Sequence, residues 1–134
     1  MKTFIDSGVL LKAWRGDDLA DAALLILGDE TREFYSSQLV RLELLPKPRF
    51  EKRQREIDFY QAHFEEVIAC EPLSAELGNE AETLAARYGL AGPDALQIAA
   101  AIRQRAAEFY TSEKPGKPMF RVKEIKIISL HGLG

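Results

Sequence analysis

Four acids stand where the chain changes character: Asp6, Glu43, Asp94 and Glu113. Asp6 ends an apolar run and is followed by Ser7 and Gly8; Asp94 follows Gly92 and Pro93 at the mouth of the most apolar helical stretch. Carboxylates drawn together repel and raise one another's pKa, so such a group persists as anions only with cations among them. Hard oxygen ligands select Mg²⁺ or Mn²⁺, which typically keep waters and use a few carboxylates with the substrate's phosphate oxygens. That is the chemistry of metal-assisted phosphodiester hydrolysis. The same residues have ordinary uses too. Asp6 and Asp94 suit helix N-termini, Glu43 suits a solvated helix face, and Glu113 suits a turn. Spacing alone leaves both readings open.

The elements that must position these acids follow from periodicity. Residues 2–5 form a short apolar run of the kind a buried parallel strand requires. A short helix is predicted over 8–14, and a second up to Gly28, with Leu19, Ala22, Ala23, Ile26 and Leu27 on one face. A strand over 33–36 leads into a helix over 38–45 that carries Glu43 and that Pro46 and Pro48 are expected to stop. Phe50, Ile57, Tyr60 and Phe64 then predict one longer helix, and residues 67–70 a buried strand with Cys70 as a small hydrophobe. Leu73, Leu77, Ala81, Leu84 and Tyr88 predict a helix closed by Gly89; a core helix over 95–107 follows. Strands over 109–111 and 125–130 flank a loop over 114–118. Strands alternating with helices predict an α/β fold, a three-layer α/β/α sandwich whose central sheet is mostly parallel with about five strands. Short right-handed connections put the first strand near the middle, and ligands then gather outside the strands' carboxyl ends.

At 134 residues the chain is expected to form one domain, 1–134, with 46% hydrophobic and 29% charged residues as in globular proteins. The net charge of −3 and pI near 5.5 confine any nucleic-acid binding to local patches. The one cysteine excludes an internal disulfide, and His63 and His131 have no zinc-ligand spacing and no partner that would make either catalytic. Without an apolar run long enough to cross a membrane, or a signal-peptide pattern, the expected location is the cytoplasm.

Taken in order, Phe4-Ile5-Asp6-Ser7, Leu42-Glu43-Leu44-Leu45, Pro93-Asp94-Ala95-Leu96-Gln97-Ile98-Ala99-Ala100 and Tyr110-Thr111-Ser112-Glu113 resemble the ordered motifs of PIN-domain proteins. Within that family the chain looks most like the VapC-type toxins of bacterial toxin–antitoxin pairs. The resemblance spans residues 2–130. It implies a doubly wound α/β/α sandwich and an Mg²⁺- or Mn²⁺-dependent endoribonuclease, a homodimer held inactive by a cognate antitoxin. Asp6, Glu43 and Asp94 match the three principal family acids. Glu113 stands where the family commonly has an aspartate, one methylene longer and followed by Lys114-Pro115-Gly116-Lys117-Pro118. By the same resemblance Ser7, Thr111 and Ser112 are candidate hydroxyls for ordering waters or acids at the metal; as a cap and strand-end hydrogen bonds they have a plain structural use as well.

Two basic clusters accompany the acids. Lys47, Arg49, Lys52, Arg53 and Arg55 form one; Lys114, Lys117, Arg121, Lys123 and Lys126 form the other. Arg49, Lys52, Arg53, Lys114 and Lys117 are the candidates for holding RNA phosphates, since phosphate neutralisation is the main sequence-independent source of affinity. Each is equally suited to a solvated surface. Trp14, Phe34, Tyr35 and Tyr110 could stack on unpaired bases or fill core and partner contacts. The contrasting function is a non-catalytic module of the same fold that uses its acidic rim to bind a protein partner.

Overall fold

The chain begins with its central strand. The computed structural model of the protein describes residues 1–133, and in it β1 (Lys2–Ile5) is hydrogen-bonded in parallel to a strand on either side. Phe4 and Ile5 have no exposed surface, and the Phe4 ring stacks on Phe109 of the neighbouring strand at 5.3 Å. Burial on both sides explains why this strand reads as an unbroken apolar run rather than an alternating one.

The chain order is β1, α1 (Ser7–Arg15), α2 (Ala20–Leu27), β2 (Glu33–Ser37), α3 (Gln38–Leu44), α4 (Pro46–Phe50), α5 (Gln54–Glu66), β3 (Ala69–Glu71), α6 (Ala75–Tyr88), α7 (Gly92–Arg103), β4 (Glu108–Thr111), a 3₁₀ turn (Pro118–Arg121) and β5 (Lys126–Ser129). Among the described residues the sheet has five strands in the order β3-β2-β1-β4-β5, every neighbouring pair parallel. Right-handed crossovers carry α1–α5 over one face as the chain steps outward to β3. The crossover through α6 and α7 then returns to β4 over the other face. Consistent with this, α1 packs on α2 and α5, and α6 packs on α7. The result is the expected three-layer α/β/α sandwich. Strand order reverses between β1 and β4, and a crevice forms at the carboxyl ends of strands at such a reversal.

Several local expectations fail for identifiable reasons. The helix that carries Glu43 does end ahead of Pro46, at Leu44, but the two prolines then open a separate short helix, α4, where the missing N–H groups of the first turn would have no intrahelical partner anyway. The long helix expected from Phe50 is broken by Lys52 in a left-handed conformation (φ 57°), so Phe50 ends the short α4 and is 88% exposed. The edge strand β3 begins at Ala69 and pairs only with β2, and Cys70 is exposed on it rather than buried. Leu73 precedes its helix, whose N-cap is Ser74 accepting from the Leu77 amide at 3.0 Å. The core helix α7 stops at Arg103, and Arg105 turns left-handed (φ 57°) just after it.

His63, on α5, is buried between the Phe34 and Phe64 rings, and its Nε2 has no hydrogen-bond partner. Burial pushes its pKa down to about 4 from 6.5. Because folding favours the neutral imidazole, its contribution is intact above pH 6.5 and is lost as pH falls from 6.5 through 4. At about 1.4 kcal/mol per pKa unit this amounts to about 3 kcal/mol. Urea denaturation should therefore show the protein losing stability relative to His63→Leu as pH falls from 7 to 4.5. A difference between the two that does not change with pH would show that His63 plays no part in acid sensitivity.

Candidate active site

At the reversal between β1 and β4, Asp6 leaves the sheet and caps α1. Its Oδ1 accepts from the Val9 amide at 3.0 Å, and its own amide donates to the Tyr110 carbonyl at 3.2 Å. The side chain is 7% exposed. Burial, with the nearby charges of Asp94 and Glu113, outweighs the hydrogen bonds from Thr111 and Val9 and pushes its pKa up to about 7. Asp6 is thus both the cap and the most perturbed carboxylate of the rim.

The other acids arrive from different elements. Asp94 sits in the first turn of α7, its pKa raised by partial burial and by Glu113 and held back by Lys117. Glu43 lies near the end of α3, raised by burial and by Asp94 against the lowering effect of hydrogen bonds from Ser7 and Gln97. Glu113 follows β4 and is exposed; its amide donates to the Thr111 hydroxyl at 3.1 Å, and its carbonyl accepts from the Ser129 hydroxyl at 2.6 Å. Its charge is felt by both Asp6 and Asp94, so the longer side chain remains part of the group.

The fold therefore brings all four sequence-predicted acids to one rim. They ring it rather than converge: among the described residues, no three His, Cys, Asp or Glu side chains close a metal cage by themselves. The all-oxygen donor set fits Mg²⁺ or Mn²⁺, which complete their shells with water and substrate oxygens. A buried carboxyl whose pKa is raised by neighbouring anions is also a group that a cation would favour in its ionised form.

Hydroxyls and one amide hold the rim in shape. Ser7 Oγ donates to Glu43 Oε1 at 3.0 Å, and Gln97 Nε2 donates to the same oxygen at 2.6 Å. Gln97 also reaches Ser7, donating to its hydroxyl and accepting from its amide, both at 3.3 Å. Ser112 lies so close to Gly8 that a Cβ there would stand 2.2 Å from its hydroxyl. The Ser112 carbonyl faces His131 Nε2 at 3.1 Å. Gln97 is the residue that sequence reasoning missed. The available signal was its position three residues after Asp94, on the same helix face. His131 had no comparable signal, because its contact with the Ser112 turn depends on where β5 ends.

The basic candidates separate. Lys117 acts on Asp94 from the loop after Glu113, and Lys114 immediately follows Glu113. Arg53 lines a pocket shared with Glu43 and is ion-paired with Glu51 and Glu56. Arg49 lines a different pocket, with Arg41, Leu42 and Leu73, and Lys52 occupies the turn between α4 and α5.

Comparison with known families decides the lineage: a PIN domain profile matches residues 3–114. The chain belongs to the PIN-domain family. No curated protein matches it in sequence. Solved structures similar to this PIN domain include VapBC2 from Rickettsia felis bound to a promoter DNA fragment, at 16% identity and a TM-score of 0.70, covering 96% of this chain and 98% of that one. A toxin–antitoxin complex from Klebsiella pneumoniae has the same identity, score and coverage. VapC20 from Mycobacterium tuberculosis, described as a toxin that cleaves the sarcin-ricin loop, gives 15% identity and a TM-score of 0.66 over 92% of this chain and 98% of that one. At these identities the likeness establishes the shared fold.

The raised pKa of Asp6 has a consequence for stability. Its folded value of about 7 exceeds the ordinary 3.8. The stability associated with the protonated form is thus complete below pH 3.8 and is lost as pH rises through 7. The full shift corresponds to up to about 4 kcal/mol. Asn caps helices as well as Asp does. In EDTA at pH 8, Asp6→Asn should therefore melt at a higher temperature than the parent, with the gap closing toward pH 4. A lower melting temperature at pH 8 would contradict the charge-crowding account.

Proposed function

We propose that this PIN domain is an Mg²⁺- or Mn²⁺-dependent endoribonuclease, the toxin of a VapC-type toxin–antitoxin pair acting in the cytoplasm. The observation that carries this reading is the meeting of Asp6, Asp94 and Glu113 at the strand-order reversal, with Glu43 tied to the same rim through Ser7 and Gln97. Asp6, Glu43, Asp94 and Glu113 would hold the metal. When bound, Mg²⁺ or Mn²⁺ supplies Lewis-acid polarisation of a phosphoryl oxygen and acidification of water. The chain's own part is orientation. Asp6 is fixed by its capping bond, Glu43 by Ser7 and Gln97, and the Glu113 backbone by the Thr111 and Ser129 hydroxyls. Lys117 and Lys114, beside Asp94 and Glu113, are placed in this reading to meet RNA phosphates.

The similar structures that contain toxin–antitoxin complexes support a cognate antitoxin as partner. The sarcin-ricin loop activity described for VapC20 supports RNA as the substrate class. Exposed Phe50 (88%) and Leu42 (58%) supply apolar surface for the expected homodimer. Among the described residues no helix is long and apolar enough to cross a membrane.

Purified protein should cleave single-stranded RNA with Mn²⁺ and not with EDTA, and Asp94→Asn should lower the rate at least about a thousandfold, as the loss of several kcal/mol of metal-derived stabilisation requires. Metal-independent cleavage, or full activity in Asp94→Asn, would refute the reading. Gln97→Leu tests the support around Glu43. Loss of an outer-shell partner typically costs about 10–100-fold in metal affinity. Calorimetric titration with Mn²⁺ should show a loss of that order, and an unchanged affinity would assign Gln97 to packing alone.

A further inference from the structure

A pocket of about 280 Å³ opens beside Glu43, walled by α1, α3, α4 and α5. Its lining includes Trp14, Arg15, Lys47, Arg53, Glu56 and Tyr60. The charges within it are unequally used. Glu56, 5% exposed, accepts from the Tyr60 hydroxyl at 2.8 Å and pairs with Arg53 at 3.2 Å, so the Arg53 charge is spent on a buried partner. Arg15, at the end of α1, and Lys47, on α4, make no ion pair among the described residues. Two cations from separate helices thus line one cavity whose lining also includes Glu43, an acid of the active-site rim.

The cavity also offers a stacking surface. Trp14 rests against Phe59 with ring centroids 5.6 Å apart, yet remains 37% exposed. Aromatic faces stack on unpaired bases, and cationic side chains beside them hold the connecting phosphates. The volume lies just under the usual ligand-cleft range of about 300–1,000 Å³, which suits one unit of a chain rather than a duplex.

We propose that this pocket is a subsite for one unpaired nucleotide of single-stranded RNA, its phosphate held by Arg15 and Lys47 and its base laid on Trp14. The proposal takes its polymer from the nuclease reading, because the pocket is continuous with Glu43. It adds a directional element: the strand crosses the rim and is gripped on the α1–α4 side. Arg53, committed to Glu56, contributes to the pocket's shape rather than to phosphate binding.

Trp14 is the single tryptophan of the chain, so its emission reports on this pocket alone. The probe is a 2′-O-methyl RNA hexanucleotide, resistant to cleavage, titrated into the full chain in EDTA. Saturable quenching is expected, and Arg15→Ala combined with Lys47→Ala should weaken it about tenfold at 0.1 M salt. The salt dependence should become shallower by about one to two counterions, since each phosphate contact contributes close to one. Arg15→Lys with Lys47→Arg, which keeps both charges, should restore most of the affinity and controls for folding.

Binding unchanged in the double alanine variant would overturn the proposal. So would quenching by a poly-glutamate peptide without quenching by the oligonucleotide, which would make the pocket a site for an acidic protein segment. The two readings fail separately. Mn²⁺-dependent cleavage with oligonucleotide binding indifferent to Arg15 and Lys47 sinks the subsite and leaves the nuclease. Charge-dependent quenching without any cleavage sinks the nuclease and leaves the subsite.

Discussion

Everything at the functional end of this molecule depends on one unfavourable arrangement: a buried carboxylate, Asp6, within electrostatic reach of Asp94 and Glu113. Sheets and helices do not require this. The cap of α1 could be supplied by a serine or asparagine without any charge, as Ser37 and Ser74 supply it for α3 and α6. An aspartate at the strand-order reversal adds desolvation and like-charge repulsion to an otherwise ordinary helix start. Proteins keep perturbed ionisable groups of this kind mainly where function uses them.

The opposite end of the sheet shows how the fold treats a buried acid with a structural role. Glu108, 5% exposed at the start of β4, accepts from the Thr3 hydroxyl and is ion-paired with Arg32, which also binds Asp29. The Arg32 guanidinium in turn lies over the Tyr110 ring at 5.1 Å. At that end every buried charge has an opposite charge beside it. At the carboxyl ends of β1 and β4 the nearest charges to Asp6 share its sign. The contrast separates a structural ion pair from a rim of carboxylates without opposite charges beside them.

Between the acids and the surrounding layers stands a small set of neutral hydrogen-bonding groups. Ser7, Gln97, Thr111 and Ser129 each bond to an acid's side chain or backbone, linking α1, α3, α7, β4 and β5 across the rim. Hydrogen bonds from neutral donors orient a carboxylate without cancelling its charge. Glu43, on an exposed helix face, takes its orientation from Ser7 and Gln97. The neighbouring pocket extends the pattern: its buried acid, Glu56, is paired with Arg53, and Arg15 and Lys47 line the cavity without an ion pair among the described residues.

The sequence by itself determined the strand–helix alternation and marked Asp6 and Asp94 as acids at the ends of elements, because each is written in local terms. An apolar run ending in Asp-Ser-Gly, and a Gly-Pro-Asp helix start, carry their meaning within a few residues. Local pattern misled where a residue's environment depends on distant neighbours. Phe50 and Cys70 look like core residues by periodicity, yet one ends a short helix and the other lies on an edge strand covered by β2 alone. Only the tertiary structure decided that Glu113 shares charge with Asp6, that Gln97 binds Glu43 across a sequence separation of 54 residues, and that Arg15 and Lys47 open into one cavity. Electrostatic and hydrogen-bonding partnerships are set by distances in space, and a linear pattern encodes those distances only within a single element.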